Sequence, residues 1–209
     1  MITGSFGVPG CGKSTFLAKI AHKTLKKIDK GKSPYKHVLT NFPVHGCEQI
    51  TLSDLGRYDL EYCLILFDEI SMDADNRDYK TFPKHVRDFF ILHRHAHNDL
   101  IYFCQDYQKV DKVIRNVTFD LWYLKRSVIP FLSQFTVAKR IYRNLNINEY
   151  TSELTLGYRF AKLLEIIFSP SKKICFRPFY YKYFDSFDKL QLDGLPEFDF
   201  RRWDNGVTT

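Results

Sequence analysis

The sequence predicts an α/β fold in which a mainly parallel β-sheet is flanked by helices. Strand-like apolar runs alternate with helical stretches along the chain, the order that places helices on the faces of a parallel sheet. The run at residues 62–67, YCLILF, is apolar at every position, as is typical of a parallel strand buried on both faces. In addition, a glycine-rich loop joins the first strand to the first helix, at the edge of the sheet where such folds bind ligands.

Composition is consistent with one domain and a basic surface. With 209 residues and 44% apolar content, the chain can bury a substantial core. The net charge of +7 favours a polyanionic partner without identifying it. The charge is uneven, since residues 1–40 carry eight lysines against one acid and residues 41–100 carry six bases against eleven acids. Five scattered cysteines without a CxxC pair favour free thiols in a reducing cytoplasm.

The glycine-rich loop follows a short predicted strand at residues 2–6 and precedes an amphipathic helix at 13–30. Its letters GVPGCGKS match GxxxxGK[ST], the phosphate-binding loop of P-loop NTPases. Glycines let successive backbone N–H groups point at one anion, and the helix N-terminus adds the positive end of its dipole. We therefore expect ATP to be bound by Gly7, Val8, Pro9, Gly10, Cys11, Gly12, Lys13, Ser14 and Thr15.

Three side chains at the end of this loop have predicted roles. Lys13 would reach the β- and γ-phosphates, and the Ser14 hydroxyl would bind Mg²⁺. Thr15 is placed to donate to the α-phosphate. The alternative is a glycine-rich turn that happens to precede a Lys–Ser pair, but the strand before it and the helix after it favour a nucleotide site.

The remaining elements continue the alternation as far as residue 125. We predict strands at 37–42, 62–67, 100–104 and 118–125, one helical turn at 51–55, a helix from Pro83 to about Asn98, and a short helix around 110–114. Beyond Ser127 the pattern changes. Residues 131–142 and 177–184 are predicted to be extended, and residues 158–168 to be helical.

Two acids directly follow the buried strand at 62–67. Asp68 is where a Walker B carboxylate belongs, because the carboxyl end of that strand faces the phosphate loop in such folds, and it would hold Mg²⁺ through water. Glu69 can act as the general base that activates the attacking water. The alternative is an acidic pair at a strand end that faces solvent.

Three further residues are candidates for the reaction. Gln105 ends the next strand, where its amide could sense the γ-phosphate, orient the water or merely cap a turn. Ring-forming P-loop enzymes often stabilise the transition state with an arginine from a neighbouring subunit. Arg115 and Arg94 are the candidates for this catalytic role, and a surface salt bridge is the alternative for either.

The motifs also occur in a distinctive order and spacing. A phosphate loop near residue 1 is followed by TNFPV at 40–44, LFDEI at 66–70, HRHAHNDLIYFCQD at 93–106, VDKVIR at 110–115 and FYYKYFDSFD at 179–188. Over residues 1–188 the chain resembles the zonular occludens toxin-like ATPases, which are assembly and export proteins of filamentous phages. The Walker elements are shared with many ATPases, whereas the His-Arg-His segment that leads to a strand and a Gln is much more specific.

The resemblance implies a RecA/FtsK–HerA-like P-loop NTPase domain at 1–188, with a core at 1–127, an extension at 128–188 and a tail at 189–209. The extension would contain extended segments and a helix. The resemblance also implies ATP and Mg²⁺ as cofactors and a homo-oligomeric ring, for which a hexamer is one candidate. The implied work is on phage DNA or virion proteins at the host inner membrane, by DNA export, packaging or virion extrusion. The site residues it implies are Lys13, Ser14, Asp68, Glu69, Gln105, Arg94 and Arg115.

Some alternatives stay open. A nucleotide-dependent structural subunit with slow turnover is disfavoured by Glu69, and a small-molecule kinase is disfavoured by the acidic segment at 68–78. Typical members continue into a transmembrane helix and a periplasmic tail. This sequence contains no signal peptide and no apolar run near the roughly 18–20 residues that span a bilayer. We therefore expect a chain in the host cytoplasm that is either a truncated domain or a soluble variant docking on an inner-membrane partner.

Overall fold

The computed structural model describes residues 1–70, 83–127, 132–147, 154–160, 162 and 171–184. In this part of the chain, nine strands form one sheet. The strands are β1 (Ile2–Phe6), β2 (His37–Thr40), β3 (Glu48–Gln49), β4 (Cys63–Phe67), β5 (Asp99–Cys104), β6 (Asp120–Arg126), β7 (Phe135–Ile147), β8 (Leu154–Phe160) and β9 (Lys172–Phe176). The α-helices are α1 (Lys13–Asp29), α2 (Lys84–Leu92) and α3 (Lys112–Val117), and 3₁₀ helices occupy Leu52–Asp54, Tyr107–Lys109 and Arg177–Tyr183.

The strand order is β3-β2-β4-β5-β1-β6-β7-β8, with β9 also paired to β7. All pairs from β3 to β6 are parallel, and the pairs that β7 makes with β6, β8 and β9 are antiparallel. The predicted α/β fold with a mainly parallel sheet is therefore confirmed. Because β1, β4 and β5 run in the same direction, the segments that follow them emerge at one edge of the sheet.

Helices cover the two faces of the sheet, and the side chains of β4 pack alternately against the helices on each face. Its five residues are all buried, as the unbroken apolar run predicted. Ile65 and Phe67 pack on the face covered by α2 and α3, together with Phe90 and Ile114. The alternate residues Leu64 and Leu66 pack on the face covered by α1. This alternation is the period of two that a strand imposes on its side chains.

Several predicted boundaries and two predicted conformations are wrong. The helix predicted from Pro83 to about Asn98 ends at Leu92, because residues 93–97 form turns and His97 has a left-handed φ of 53°. The segment predicted to be extended at 177–184 is a 3₁₀ helix over Arg177–Tyr183. Its period of three places Tyr180 and Tyr183 on one side, and Tyr183 stacks on His22 of α1 with ring centroids 4.0 Å apart.

The C-terminal part differs most from the prediction. The helix predicted at 158–168 is wrong where it can be compared, because residues up to Phe160 belong to β8 and pair with β7. Residues 161 and 163–170 lie outside the described ranges. Strand β9 and the short strand β3 were not predicted, since their isolated stretches of sequence lack a clear hydrophobic period. The predicted strand at 131–142 is β7, which spans Phe135–Ile147, and the helix predicted around 110–114 is α3.

Within the described ranges, no helix combines the length and the apolar content needed to cross a bilayer.

Candidate nucleotide-binding site

The loop at residues 7–12 joins β1 to α1 at the carboxyl edge of the sheet, and residues 13–15 form the first turn of α1. Gly10 and Gly12 have left-handed φ values of 75° and 94°, which favour glycine. At Gly12 there is also no space for a side chain, since a Cβ atom would lie 2.4 Å from Thr136 Oγ1 and 2.7 Å from Arg177 Cδ. The glycine at position 12 is thus required by both the backbone conformation and the close approach of β7 and the segment after β9.

The start of α1 is open for an anion. Its N-cap residue is Gly12, which has no side chain to accept a hydrogen bond from the first N–H groups of the helix. Those N–H groups carry the positive end of the helix dipole, so they are suited to phosphate oxygens. The Lys13 ammonium folds back over the loop and donates to the Gly7 carbonyl oxygen at 3.0 Å.

A hydrogen bond joins the loop to the end of β4. The Ser14 hydroxyl donates to the Asp68 Oδ2 atom, which brings together the two side chains predicted to hold Mg²⁺. Burial raises the pKa of the Asp68 carboxyl, and the Ser14 bond and the Lys13 charge act in the opposite direction. A hydroxyl and a carboxylate are hard oxygen donors of the type that Mg²⁺ prefers. These residues therefore fit the predicted ion.

Asn41, which follows β2, fixes the backbone of Asp68. Its Nδ2 atom donates to the Asp68 carbonyl oxygen at 2.8 Å, and its Oδ1 atom accepts from the Asp68 N–H at 2.7 Å. One amide side chain thus satisfies both polar groups of the Asp68 peptide backbone. No role was predicted for Asn41 from the sequence, although it lies in the TNFPV segment directly after a strand, a position analogous to that of Asp68.

Glu69 and Gln105 also meet at this edge. Glu69 has a left-handed φ of 55°, and its Oε1 atom accepts a hydrogen bond of 3.2 Å from the backbone N–H of Gln105. The side chain of Gln105 is exposed. The structure therefore brings Lys13, Ser14, Asp68, Glu69 and Gln105 to the same edge of the sheet, where the phosphate loop also lies.

The two candidate arginines lie in different places. Arg115 is on α3 and lines a cleft together with Gly7, Val8 and Gln105 of the same chain. Arg94 is exposed in the turn before β5, at the amino edge of the sheet and so at the end opposite to the phosphate loop. Arg94 is therefore not beside the phosphate loop of its own chain.

Two residues from the antiparallel part of the sheet and the segment after it form hydrogen bonds with the phosphate loop. The buried Thr136 on β7 donates its hydroxyl hydrogen to the Cys11 carbonyl oxygen at 2.6 Å. Arg177, directly after β9, donates to the Gly10 carbonyl oxygen at 3.4 Å. Neither residue was predicted from the sequence, because both lie more than a hundred positions from the loop and belong to no local motif.

Known proteins resemble this chain in family and in fold. A model of the family described as zonular occludens toxin (Zot) matches residues 7–157. Among solved structures, the N-terminal domain of zonular occludens toxin from Neisseria meningitidis aligns with a TM-score of 0.53 and 14% identity, covering 79% of this chain and 96% of that domain.

Other solved structures align less closely. The genome packaging NTPase B204 from Sulfolobus turreted icosahedral virus 2 has a TM-score of 0.44 and 11% identity, covering 74% of this chain and 95% of that one. The flagellar accessory protein FlaH from Methanocaldococcus jannaschii has a TM-score of 0.47 and 11% identity, covering 77% and 89%. Curated proteins gave no match.

Proposed function

The chain belongs to the zonular occludens toxin (Zot) family, and from that premise we propose that it binds ATP with Mg²⁺ and hydrolyses it to drive the assembly of a filamentous phage. The observation that carries the hydrolytic part is the hydrogen bond from Ser14 to Asp68. This bond supports the proposal because it unites the phosphate loop with the carboxylate expected to hold the metal ion. Glu69, the next residue, is then at the right edge of the sheet to act on water.

Each residue has a defined part in the proposed reaction. Lys13 and the N–H groups at the start of α1 hold the phosphates, and Ser14 and Asp68 hold Mg²⁺, which supplies positive charge to the phosphate oxygens when bound. Glu69 accepts the proton of the attacking water. Gln105 orients that water or senses the γ-phosphate from the end of β5.

Two substitutions test this assignment. Lys13→Ala removes the cation from the loop and should abolish ATP binding, measured by titration with a fluorescent ATP analogue. Glu69→Gln keeps the shape of the side chain without its basicity, so ATP should still bind while hydrolysis falls by about 10²–10⁴-fold. Wild-type turnover by Glu69→Gln would rule out Glu69 as the base, and unchanged binding by Lys13→Ala would contradict the nucleotide site itself.

The proposal also concerns the process that ATP hydrolysis would drive. We infer a homo-oligomeric ring that acts on phage DNA or virion proteins next to a host inner-membrane partner, as the family's role in phage assembly implies. The hydrolysis rate should rise when single-stranded phage DNA or virion protein is added to the wild-type chain. Lack of stimulation by either one would favour a structural subunit that binds ATP and turns over slowly.

A further inference from the structure

Arg177 places a cation directly against the phosphate loop of its own chain. The residue follows β9, whose pairing with β7 carries it to the carboxyl edge of the sheet. Its side-chain stem lies beside Gly12, where an added Cβ atom would approach the Arg177 Cδ atom to 2.7 Å. Its Nη1 atom donates to the Gly10 carbonyl oxygen at 3.4 Å. This long bond is the direct link between the guanidinium and the loop.

The remaining contacts of the guanidinium are with the turn before β7. Its Nη2 atom donates to the Ser133 carbonyl oxygen at 2.7 Å, and its Nε atom donates to the Gln134 carbonyl oxygen at 3.2 Å. A guanidinium has five N–H groups, so two of them have no acceptor among the described residues. No carboxylate in the described ranges forms an ion pair with Arg177. The cation is therefore held in place by neutral carbonyls and keeps its capacity for an anion.

The position of Arg177 relative to the sheet indicates which part of a nucleotide it would meet. Strand β1, which precedes the phosphate loop, lies between β5 on one side and β6 on the other. Asp68 and Glu69 follow β4, beyond β5, whereas Arg177 lies on the side of β6, β7 and β9. A triphosphate whose γ end is directed toward the carboxylates must have its α-phosphate and nucleoside toward the other side. Arg177 is on that side.

We propose that Arg177 binds the α-phosphate of the nucleotide held by its own phosphate loop. This inference rests on the proposed function, because it concerns the same site. The chemistry is a charge-assisted hydrogen bond between a guanidinium that the fold already orients and phosphate oxygens. Since the α-phosphate is common to ATP and ADP, the contact contributes equally to the binding of both and does not distinguish substrate from product.

The test compares Arg177→Ala with Arg126→Ala. Arg126 is the matched control, because its Nε atom also donates to the Ser133 carbonyl oxygen, at 2.9 Å, and among the described residues it forms no hydrogen bond with the loop. We expect Arg177→Ala to weaken the binding of both fluorescent ATP and ADP by about 10–100-fold, the scale of a lost charged hydrogen bond. Arg126→Ala should bind both like the wild type.

Two further variants separate binding from folding. Arg177→Lys keeps the charge and should restore part of the affinity, whereas Arg177→Gln keeps a donor for the carbonyls without the charge and should not. The unfolding temperature of each variant, measured without nucleotide, shows whether the variant is folded. If Arg177→Ala does not fold, Arg177→Gln takes its place in the binding comparison. A loss confined to ATP, or equal affinities in Arg177→Gln and the wild type, would overturn the proposal.

Lys13→Ala distinguishes a failure of the proposed nucleotide site from a failure of the proposed role of Arg177. If the wild type and Lys13→Ala bind ATP equally, the proposed function fails. If Lys13→Ala loses binding while the Arg177 variants match Arg126→Ala, the nucleotide site stands and only the role of Arg177 fails.

Discussion

At the scale of single residues, the candidate site is supported by side chains outside the set predicted to bind ATP and Mg²⁺. Asn41 is the clearest example, because its amide bonds both the N–H and the carbonyl group of Asp68. A residue that orients a metal ligand in this way commonly affects metal affinity or activity by about 10–100-fold. Asn41 is thus a positioning residue for the proposed Mg²⁺ site, and its effect should appear in the metal dependence of the reaction.

The prediction for Asn41 concerns the Mg²⁺ dependence of hydrolysis. Asn41→Ala should raise the Mg²⁺ concentration for half-maximal hydrolysis by about 10-fold or more, with little effect on ATP binding in the absence of Mg²⁺. Gln49→Ala is the control, because the Gln49 amide donates to the nearby Phe42 carbonyl oxygen at 3.1 Å and makes no bond to Asp68. A Mg²⁺ titration of both variants measures the effect. Identical curves would show that Asn41 does not position the ligand.

The residues of the site differ in how far sequence could predict them. Lys13, Ser14 and Asp68 were predictable because each stands in a short motif next to a strand, and the structure places them together. Asn41 has only a weak signal, since a single polar residue after a strand can as easily cap a turn. Arg177 has none. Its approach to the loop depends on how β9 pairs with β7, which is a long-range contact that no local pattern encodes.

At the scale of elements, the turn between α2 and β5 has a structural role. The segment HRHAHND, from which the family resemblance was partly drawn, includes Asn98, which is 1% exposed. The Asn98 Oδ1 atom accepts from the Cys63 N–H at 2.9 Å, and its Nδ2 atom donates to the Leu60 carbonyl oxygen at 2.7 Å. The segment thus holds the start of β4 in register with the start of β5.

Loss of these bonds should destabilise the fold without changing the chemistry. Asn98→Ala leaves the Cys63 N–H without its partner, which should lower the free energy of unfolding by about 1–3 kcal/mol. For a chain of this size that corresponds to roughly 2–4 °C in Tm per kcal/mol. His95→Ala, at an exposed position of the same turn, should stay within about 0.5 kcal/mol of the wild type. Urea unfolding measures both, and equal midpoints would contradict this role for Asn98.

The type of an element was predictable where the sequence has an unbroken apolar run, as in a strand buried on both faces, or a clear helical period. Strand β4 and helix α1 meet these conditions, and both were predicted within a residue of their bounds. The 3₁₀ helix at Arg177–Tyr183 was not, because its aromatic residues suggest a strand when read alone. Contacts with α1 decide its conformation, since Tyr180 is 8% exposed and Tyr183 stacks on His22.

At the scale of the whole molecule, the two predicted trans arginines differ in position. Arg94 is at the sheet edge opposite to the phosphate loop, so within a ring it could serve only a neighbouring subunit. Arg115 lines a cleft beside the Gly7 end of its own loop and Gln105. A contribution from either residue to a neighbour's site requires that subunits associate.

Mixing inactive variants tests the shared site. If Arg115 acts in trans, Arg115→Ala and Glu69→Gln should each be inactive alone and regain hydrolysis when mixed. The reason is that an intact Glu69 in one subunit then faces an intact Arg115 in its neighbour. The same mixture with Arg94→Ala examines the other arginine. The measurement compares the ATPase rate of each mixture with the sum of the rates of its two components measured separately. If neither mixture hydrolyses ATP faster than that sum, a shared site is contradicted.

The left-handed backbone at Glu69 has a consequence for evolution. A non-glycine residue with a φ of 55° costs about 1–3 kcal/mol, and a glycine there would relieve it. If Glu69 is the base proposed above, selection for stability favours glycine at this position and selection for hydrolysis favours glutamate. We therefore expect that a homologue which kept the fold but lost ATP hydrolysis could carry glycine here without a cost to its stability.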